Sequence, residues 1–457
     1  MSDLFDRPAD YQEKRDRLVE AMKRRHAGPV MLKKSSSSNL FRNRSQISER
    51  LDVRDLNRVI TVDPKKLIVE VEGMTTYEQL VKATLQYNCL PTVVPQLNTI
   101  TIGGAIAGGG IESSSFRYGL VHETVIEMEI LLSNGTVIVA SLDQYADLFY
   151  GVPNTFGTLG YILKLKVKLV PIKAFVHLQH VFFSDASKFF QTIDTITETG
   201  KYNSHRIDFM DGSVYERDQH YLTLGTLVDT APYTSNYTYM KMYYRSISSR
   251  QEDYLTIHDY IWRWDPDWFW CSDRFGADKW LIRLLFGKWL LHSKTYWQII
   301  GWDRKYQLGE KLSRLRPHQP NHESVIQDVQ IPIEHAPTFL DFLHRRIGIL
   351  PIWICPAKDF NKHRFDFLPL KTKGPYINFG FWDFVETDRD PTKGYYNRLI
   401  EKEIARLGGT KGLYSESYYT SQEFWQIYDQ KRYNHLKQVY DPEHVLKDFY
   451  QKTIKRA

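Results

Sequence analysis

Glycines and serines that could bind an anion are concentrated in residues 98–119. Five glycines fall between Gly103 and Gly110, and three consecutive serines follow at residues 113–115. A glycine-rich segment can turn successive backbone N–H groups inward and form a concave anion-binding site. Arg117 is the single cation of the stretch, so backbone dipoles and hydroxyl groups must supply most of the attraction. This pattern predicts a cradle for the pyrophosphate of a dinucleotide.

Two common phosphate-binding motifs do not fit this stretch. A P-loop has Lys followed by Ser or Thr directly after its last glycine, whereas Ile111 and Glu112 follow Gly110. A G-x-G-x-x-G fingerprint opens a helix, but here the spacing from Gly103 differs and the next residues are serines and aromatics. The structural alternative is a glycine-rich turn between two packed strands.

Strand and turn signals surround the glycine-rich stretch. Residues 125–139 predict a hairpin, because two apolar runs meet at Asn134-Gly135. Residues 59–71 predict a second hairpin, and residues 161–170 a strand. A helix is expected over residues 76–87. The first 173 residues therefore predict one α+β unit.

This order of motifs resembles the vanillyl-alcohol-oxidase-type (PCMH-type) FAD-binding domain. Such domains begin with a T-x-G-G-rich loop, which residues 101–104 match here. An Asn/Asp-Gly hairpin follows, as at residues 134–135. The motif D-L-F/W…G-x-x-G-I/L then leads into a strand, as at residues 147–161. Within that superfamily, residues 101–120 look most like the delta24-sterol reductase (diminuto-type) family, which carries G-I-E-S-S-S-x-x-Y-G-L. Pro351-Ile-Trp-Ile-Cys-Pro356 is similar to the same family.

The resemblance implies an FAD held by three segments. The residues assigned to it are Thr101, Ile102, Gly103, Gly104, Ala105, Ile106, Ala107, Gly108, Gly109, Gly110, Ile111, Glu112, Ser113, Ser114, Arg117 and Gly119, with Gly157, Thr158 and Gly160 in a later turn and Ser35 and Ser36 in an earlier loop.

Serine replaces the usual glycine in that earlier loop, residues 35–38. The neighbouring Lys33 and Lys34 could face phosphate, and a flexible surface loop is the alternative. Some relatives attach FAD through a His or Cys in this region. Neither residue type occurs between Gly28 and Cys89, so the resemblance implies a non-covalent flavin.

The resemblance also implies NADPH as electron donor and a carbon–carbon double bond of a sterol or isoprenoid-like lipid as substrate. Tyr414, Glu416 and His122 are the candidate proton donors, each with a structural hydrogen bond as the alternative role. Leu413-Tyr414 matches a Leu-Tyr pair that lies against the flavin ring in related oxidases. Some of those use a Lys three residues later; Ser417 stands here, so no mechanism through that Lys is carried over.

The rest of the chain predicts a substrate (cap) domain and a returning segment. Strands and helices alternate over residues 174–410, which favours an antiparallel sheet covered by helices. Residues 411–457 contain Tyr440-Asp-Pro. A similar motif lies near the end of many proteins of this superfamily, in which the last segment returns to the FAD domain. The predicted fold is therefore α+β, with a PCMH-type FAD-binding domain of two α+β subdomains and a cap domain.

Residues 258–304 are unusually rich in aromatic side chains. Within them, residues 279–294 combine Trp, Leu and Phe with Lys and Arg in a helical pattern. This composition fits a helix that lies in a membrane interface or covers a lipid pocket. A buried core helix is the more conservative interpretation.

Composition excludes several classes of site. A net charge of +6 over 457 residues is too weak to indicate a nucleic-acid partner, although it suits an anionic cofactor or lipid surface. Three widely spaced cysteines form no metal or redox motif, and His177 and His180 fall on opposite faces of a predicted strand, so no metal site is expected. We expect no signal peptide or transmembrane helix, and a cytoplasmic protein with possible peripheral membrane contact.

Three functions agree with these patterns. The first is NADPH-dependent, FAD-mediated reduction of a lipid double bond. The second is an FAD-dependent oxidase or dehydrogenase of an alcohol or a lipid-linked sugar. The third is a lipid-binding protein that has lost its cofactor.

Overall fold

The computed structural model describes residues 4–25, 28–35, 49–306, 321–358, 365–368 and 374–454. Its strands, numbered along the chain, are β1 Val30–Lys33, β2 Glu49–Asp52, β3 Val59–Asp63, β4 Ile68–Glu72, β5 Cys89–Pro91, β6 Val125–Leu131, β7 Val137–Ser141, β8 Tyr161–Pro171, β9 Phe175–Phe183, β10 Lys201–Tyr202, β11 His205–Arg206, β12 Phe209–Glu216, β13 Gln219–Val228, β14 Glu252–Thr256, β15 Asn321–Pro332, β16 Ile352–Ala357, β17 Tyr376–Thr387 and β18 Thr410–Lys411.

The α-helices of the described ranges are Pro8–Lys23, Tyr77–Leu85, Ile102–Gly108, Ser115–Tyr118, Ala146–Gly151, Ala186–Thr199, Tyr243–Ile247, Ile257–Ile261, Trp280–Leu290, Ser293–Tyr306, Ala336–Phe342, Tyr395–Arg406, Ser421–Ile427, Gln430–Tyr440 and Phe449–Thr453. Within these ranges, no helix is both long enough and apolar enough to cross a bilayer.

The first sheet has the strand order β3-β4-β8-β6-β7, and β5 also pairs with β8. Both predicted hairpins are confirmed, because β3 pairs antiparallel with β4 and β6 with β7. Gly135 takes φ 83° in the second turn, a conformation that glycine adopts freely. A separate parallel pair, β1 and β2, packs with the helix Pro8–Lys23 through Leu18, Met22, Val30 and Leu51.

The second sheet has eight strands in the order β14-β9-β13-β12-β16-β17-β15-β18. Every neighbouring pair is antiparallel. Strand alternation gives this sheet two different faces. One face packs against helices through apolar side chains, among them Phe189 and Ile193 from Ala186–Thr199, Phe339 from Ala336–Phe342, Ile400 from Tyr395–Arg406, and Met210, Val329, Ile354 and Phe379 from the strands. The predicted α+β class, with an antiparallel sheet covered by helices, is confirmed.

The opposite face carries polar and aromatic residues. We call it the site face and define it by Asp211 of β12, Asp328 of β15, Trp353 and Cys355 of β16, and Asn378 and Trp382 of β17. Asp211, Trp353, Cys355 and Asn378 are buried, so another part of the chain covers this face.

The last helices lie against the first sheet unit. Lys437 Nζ donates to the carbonyl of Thr158 at 2.8 Å, and Tyr440 OH lies 2.9 Å from Asp147 Oδ1. Asp441 of the Tyr-Asp-Pro motif accepts from the amides of Val445 and Leu446 at 3.0 and 2.9 Å. The motif thus orders the chain as it turns back.

Candidate functional site

The glycine-rich stretch forms a short helix, Ile102–Gly108, rather than the predicted loop. Thr101, directly before the helix, makes an isolated antiparallel bridge to Thr76. Thr101 caps the helix, since its hydroxyl oxygen accepts from Gly104 N at 3.3 Å. Gly109 ends the helix at φ 75°, a common C-terminal conformation for glycine.

Gly103 and Gly104 differ in what surrounds them. A Cβ atom at Gly103 would lie 2.6 Å from the carbonyl oxygen of Gly73, so the helix rests directly on another backbone. A Cβ atom at Gly104 would meet Thr101 Oγ1 at 2.8 Å and no further heavy atom of the described residues within 4 Å. Gly104 therefore offers an open backbone surface on which a ligand can lie.

The first amides of this helix already have protein partners. Ile102 N donates to Thr75 O at 3.0 Å, Gly103 N donates to Gly73 O at 2.9 Å, and Gly104 N is bonded to Thr101. These three N–H groups therefore do not form the predicted concavity. Farther along, the carbonyls of Ile106 and Ala107 accept from the amides of residues 154 and 156, which joins the helix to the turn at residues 154–160.

The three serines connect parts of the fold instead of lining an open loop. Ser113 Oγ lies 3.0 Å from Tyr260 OH, and Ser114 Oγ donates to Thr92 O at 2.8 Å. Ser115 Oγ accepts from Glu112 N at 3.0 Å. A main-chain bond also joins this segment to β12, because Met210 N donates to Ser113 O at 2.8 Å.

The remaining predicted FAD residues have different surroundings. Arg117 pairs with Asp208 at 3.4 Å, and Gly119 takes φ 77°. Ala105 is buried, whereas Gly108, Gly110 and Ile111 are half-buried. Gly157 and Gly160 both take positive φ in the turn before β8. Ser35 is exposed, and Ser36 lies outside the described residues.

Several buried polar atoms at this site lack a partner within the described residues. They include Thr92 Oγ1, Thr158 Oγ1, Glu112 Oε2 and Arg263 Nε. Buried polar groups are normally hydrogen-bonded, so these unpaired atoms leave donors and acceptors available to a polar ligand. The residues present therefore fit an extended polar cofactor such as FAD.

Glu112 joins a buried cluster of charges between the glycine-rich segment and the site face. Its Oε1 accepts from Gln96 Nε2 at 2.8 Å and lies 3.5 Å from Arg263 Nη2. Arg263 also donates to Asp211 Oδ2 at 2.9 Å. The same Asp211 oxygen accepts from the indole nitrogens of Trp264 and Trp353, both at 3.3 Å.

Burial raises the pKa of Glu112 to about 7, and the Arg263 charge only partly offsets this effect. Asp211 pushes the pKa in the same direction as burial. A carboxyl group with this pKa can hold a proton and release it near neutral pH, which is the requirement for a general acid.

A cavity of about 90 Å³ lies beside Glu112. It is lined from the first unit by Thr92, Glu112 and Ser114 and from the second by Asp208, Tyr260 and Arg263. This volume holds a few water molecules and is too small for a sterol. The cavity can therefore supply water next to the carboxyl group.

Tyr414 lies at a second polar cluster on the site face. Its hydroxyl donates to Asp328 Oδ2 at 2.6 Å and accepts from Trp382 Nε1 at 3.0 Å. Asn378 Nδ2 donates to the other Asp328 oxygen at 2.7 Å. Burial raises the pKa of Asp328, and burial with the Asp328 charge raises the pKa of Tyr414 well above its ordinary value.

The other two proton-donor candidates lie in different surroundings. The Glu416 carboxylate accepts from Tyr418 OH at 3.0 Å. Burial lowers the pKa of His122 to about 3, so its imidazole is neutral at physiological pH, and its ring contacts Phe365 edge-on at 4.3 Å. Ser417, at the position of the Lys in some relatives, is buried.

Sequence reasoning assigned Glu112 to the cofactor and missed it as an acid. Asp211, Arg263 and Asp328 were not singled out either. Glu112, Asp211, Arg263 and Asp328 lie 52 to 216 positions apart in the chain and share no local motif. The aromatic density around Arg263 was the one signal that pointed to this region.

No metal site is expected from the sequence, and the described residues contain no group of three or more metal-ligating side chains. His180 instead bonds Thr223 at 2.8 Å, while His177 stacks on Tyr254.

Comparisons with known proteins support the assignment of a cofactor. Residues 5–141 match a family described as an FAD binding domain. The chain is 26% identical over 428 residues to "Delta(24)-sterol reductase" of Homo sapiens, which covers 88% of this chain and 77% of that protein. The Arabidopsis thaliana protein of the same name is 25% identical over 447 residues, covering 89% and 76%. "Cytokinin dehydrogenase 3" of Arabidopsis thaliana is 26% identical over 158 residues, covering 35% and 29%.

The resemblance to PCMH-type FAD-binding proteins is thereby confirmed. The protein is an FAD-dependent oxidoreductase with a PCMH-type FAD-binding domain, and it is similar over most of its length to the delta(24)-sterol reductases.

Proposed function

We propose that the enzyme reduces a carbon–carbon double bond of a sterol or isoprenoid-like lipid, with NADPH as the electron donor. Similarity over 88% of the chain to a protein named as a sterol reductase supports this reaction class. The aromatic side chains next to the site face, including Phe269, Trp270 and Trp382, support an apolar substrate. FAD, which we propose is bound without a covalent link, would supply the hydride transfer. The chain orients the substrate and provides a proton.

Glu112 is the residue that we propose as the proton donor, and its position carries the proposal. Its carboxyl group is buried between the FAD-binding segment and the site face, beside a cavity with room for water. One oxygen is held by Gln96 and Arg263, whereas Oε2 has no partner within the described residues. The carboxyl group is thus fixed in orientation and has one oxygen available for a proton.

Tyr414 fits a positioning role better than an acid role. Its proton is engaged with Asp328, and its raised pKa makes it a weak acid. Trp382, which donates to the same hydroxyl, also packs on Phe269 at 4.6 Å between ring centres. The cluster therefore holds one aromatic wall in place.

A lipid substrate also supports a location at a membrane. We propose a cytoplasmic protein that contacts the membrane peripherally, and no nucleic-acid partner. The small excess of positive charge, +6, is compatible with an anionic lipid surface.

The reaction is tested with purified flavoprotein, NADPH and desmosterol or another sterol with a side-chain alkene, presented in detergent. Mass spectrometry should detect the saturated product, with deuterium from labelled NADPH or solvent at the former double bond. Failure of NADPH to reduce the flavin, together with direct bleaching by an alcohol, would favour the oxidase alternative. A colourless protein that cannot be reconstituted with FAD would favour the cofactor-free alternative.

The role of Glu112 is tested by Glu112→Gln, which retains the size of the side chain but removes the acid. Reduction of the flavin by NADPH should proceed normally, whereas reoxidation by the alkene should slow about 100-fold or more. Glu416→Gln is the matched control and should leave both half-reactions unchanged. Normal reoxidation in Glu112→Gln would remove Glu112 from the mechanism without affecting the assignment of FAD.

A further inference from the structure

The helix Trp280–Leu290 has a buried cation, Arg283, on its inward side. Arg283 is fully buried and donates to Asp267 Oδ1 at 2.5 Å, to Tyr239 O at 2.6 Å and to Ala277 O at 3.0 Å. A surface helix of a water-soluble protein normally turns its apolar stripe to the core and its charges to solvent. This helix, which we call the exposed helix, instead buries Arg283 and exposes its apolar stripe together with Lys288.

Large apolar side chains cover its outward surface. Trp289 is 87% exposed, Leu285 73% and Trp280 67%. Leu281, Leu284 and Leu290 are also exposed, and so is Trp302 on the following helix, Ser293–Tyr306. Residues 280, 281, 284 and 285 have the i, i+1, i+4, i+5 spacing of one continuous helical stripe. A cluster of this kind marks an interaction site, whereas single exposed apolar residues do not.

The inward Arg283 explains why the helix does not turn its apolar side to the core. Its guanidinium bonds a carboxylate and two backbone carbonyls, so rotation of the helix would leave these buried polar groups unpaired. The ion pair therefore fixes the outward direction of the stripe at residues 280–285, whereas Trp289 and Leu290 follow a kink at Gly287, which takes φ 63°. The predicted conservative interpretation, a buried core helix, is wrong for Trp280–Leu290.

Cations surround the apolar stripe. Lys279, Lys288 and Lys294 are exposed. Asp278, the adjacent acid, is paired with Arg245 at 3.1 Å. Helices that lie in the interface of a bilayer have a similar arrangement, with tryptophan at the edge of the apolar surface, leucine in its middle and lysine at both ends.

We propose that the exposed helix docks on an anionic lipid bilayer, with Trp280, Leu285 and Trp289 entering the acyl boundary and the three lysines meeting lipid headgroups. The proposal specifies the surface for the peripheral contact suggested above, and it does not depend on which reaction the enzyme performs.

The docking surface is connected to the candidate active site through residues 263–267. Asp267 holds Arg283 of the exposed helix, and Asp265 accepts from Ser293 Oγ at 2.6 Å at the start of the next helix. Asp265 also accepts from Asn98 N at 3.0 Å, just before the glycine helix. Arg263, at the other end of this segment, pairs with Glu112 and Asp211. A lipid that leaves the bilayer at the exposed helix is thus next to the segment that borders Glu112.

The test is co-sedimentation of the full-length flavoprotein with phosphatidylcholine vesicles, with or without phosphatidylserine. The wild-type protein should bind both, and more strongly when phosphatidylserine is present. Trp280→Ser with Trp289→Ser should weaken binding about tenfold or more. Lys288→Glu with Lys294→Glu should weaken binding only to the anionic vesicles, by roughly fivefold for each lysine.

Matched controls distinguish binding through this surface from non-specific adsorption to vesicles. Leu142 and Phe182 are 56% and 53% exposed at other places, so Leu142→Ser with Phe182→Ser should leave binding unchanged. Lys201→Glu is the charge control. Equal flavin content in all variants shows that each is folded.

Two outcomes would overturn the proposal. One is the absence of vesicle binding by the wild-type protein, or unchanged binding in the folded double-Trp variant. The other is a concentration-dependent dimer that the double-Trp variant abolishes, without vesicle binding, which would assign the stripe to a second copy of the chain. Turnover of sterol in detergent, measured separately, reports the proposed reaction whatever the vesicle result.

Discussion

A substitution at Gly104 should remove FAD without unfolding the protein, whereas one at Gly103 should destabilise the fold itself. The two glycines are adjacent in the helix Ile102–Gly108 but face different surroundings. Gly104 has helical backbone angles, so the cost of a larger side chain there comes from occupied space and not from a positive φ. We therefore compare Gly104→Val with Gly103→Ala.

The structure allows the two effects to be estimated. At Gly104, valine improves helix propensity by a few tenths of a kcal/mol. Its Cβ would lie 2.8 Å from Thr101 Oγ1 and can break the N-cap hydrogen bond, which contributes about 0.5–2 kcal/mol to stability. The net loss of stability is therefore at most about 2 kcal/mol. At Gly103, alanine gains about 1 kcal/mol in helix propensity, but its Cβ would lie 2.6 Å from Gly73 O, where backbone must move. Overpacking of this kind costs typically about 1–3 kcal/mol, and occasionally more.

The assay measures flavin absorbance per protein after gel filtration, together with the thermal midpoint. Gly104→Val should run at the native size, keep most of its thermal stability and lose FAD. Gly103→Ala should have a lower midpoint and lose FAD only in proportion to its unfolding. A folded Gly104→Val protein with full FAD content would show that the cofactor does not lie on this surface.

Four further predictions concern the cofactor, the proposed acid and the buried clusters. Acid precipitation should leave yellow FAD in the supernatant, and flavin retained by the fully denatured pellet would contradict a non-covalent link. Because the acid form of Glu112 is the active one and its pKa is about 7, turnover should be highest below pH 7 and fall above it, and Glu112→Gln should lose this dependence. Tyr414→Phe should retain turnover and flavin but lower the thermal midpoint, because Asp328 loses a buried donor worth about 1–3 kcal/mol; unchanged stability would argue against the bond. Asp265→Ala should also lower the midpoint, since the Asn98 amide and the Ser293 hydroxyl lose their acceptor. An unchanged midpoint would show that these two hydrogen bonds do not stabilise the fold.

Local signals in the sequence predicted much of the fold. The Asn134-Gly135 turn and the alternating strands on either side define a hairpin without help from distant residues. Thr420 and Glu423 have the spacing of a capping box, and both reciprocal bonds are present. The antiparallel cap sheet followed from the alternation of strands and helices.

The parts that were not predicted depend on distant contacts. Glycine is a poor helix former, so no local rule indicated that residues 102–108 would be helical; the contact of Gly103 with Gly73 stabilises that conformation. The charge cluster joins Glu112, Asp211 and Arg263 from three separate regions. The direction of the exposed helix depends on Asp267, which binds Arg283 from outside the helix.

The backbone contact at Gly73 limits how the sequence can vary. A Cβ atom at Gly73 would lie 2.3 Å from the carbonyl of Ile162, and one at Gly103 would lie 2.6 Å from the carbonyl of Gly73. Three main chains are thus stacked with no side chain between them. A side chain at either glycine must displace a main chain, and no partner mutation can relieve the clash, because the obstructing atoms are peptide oxygens common to all residues. In a library of all single substitutions, both positions should favour glycine strongly, with alanine at Gly103 the least damaging replacement there, while Ile162, which contributes its carbonyl, should accept other residues that suit a strand.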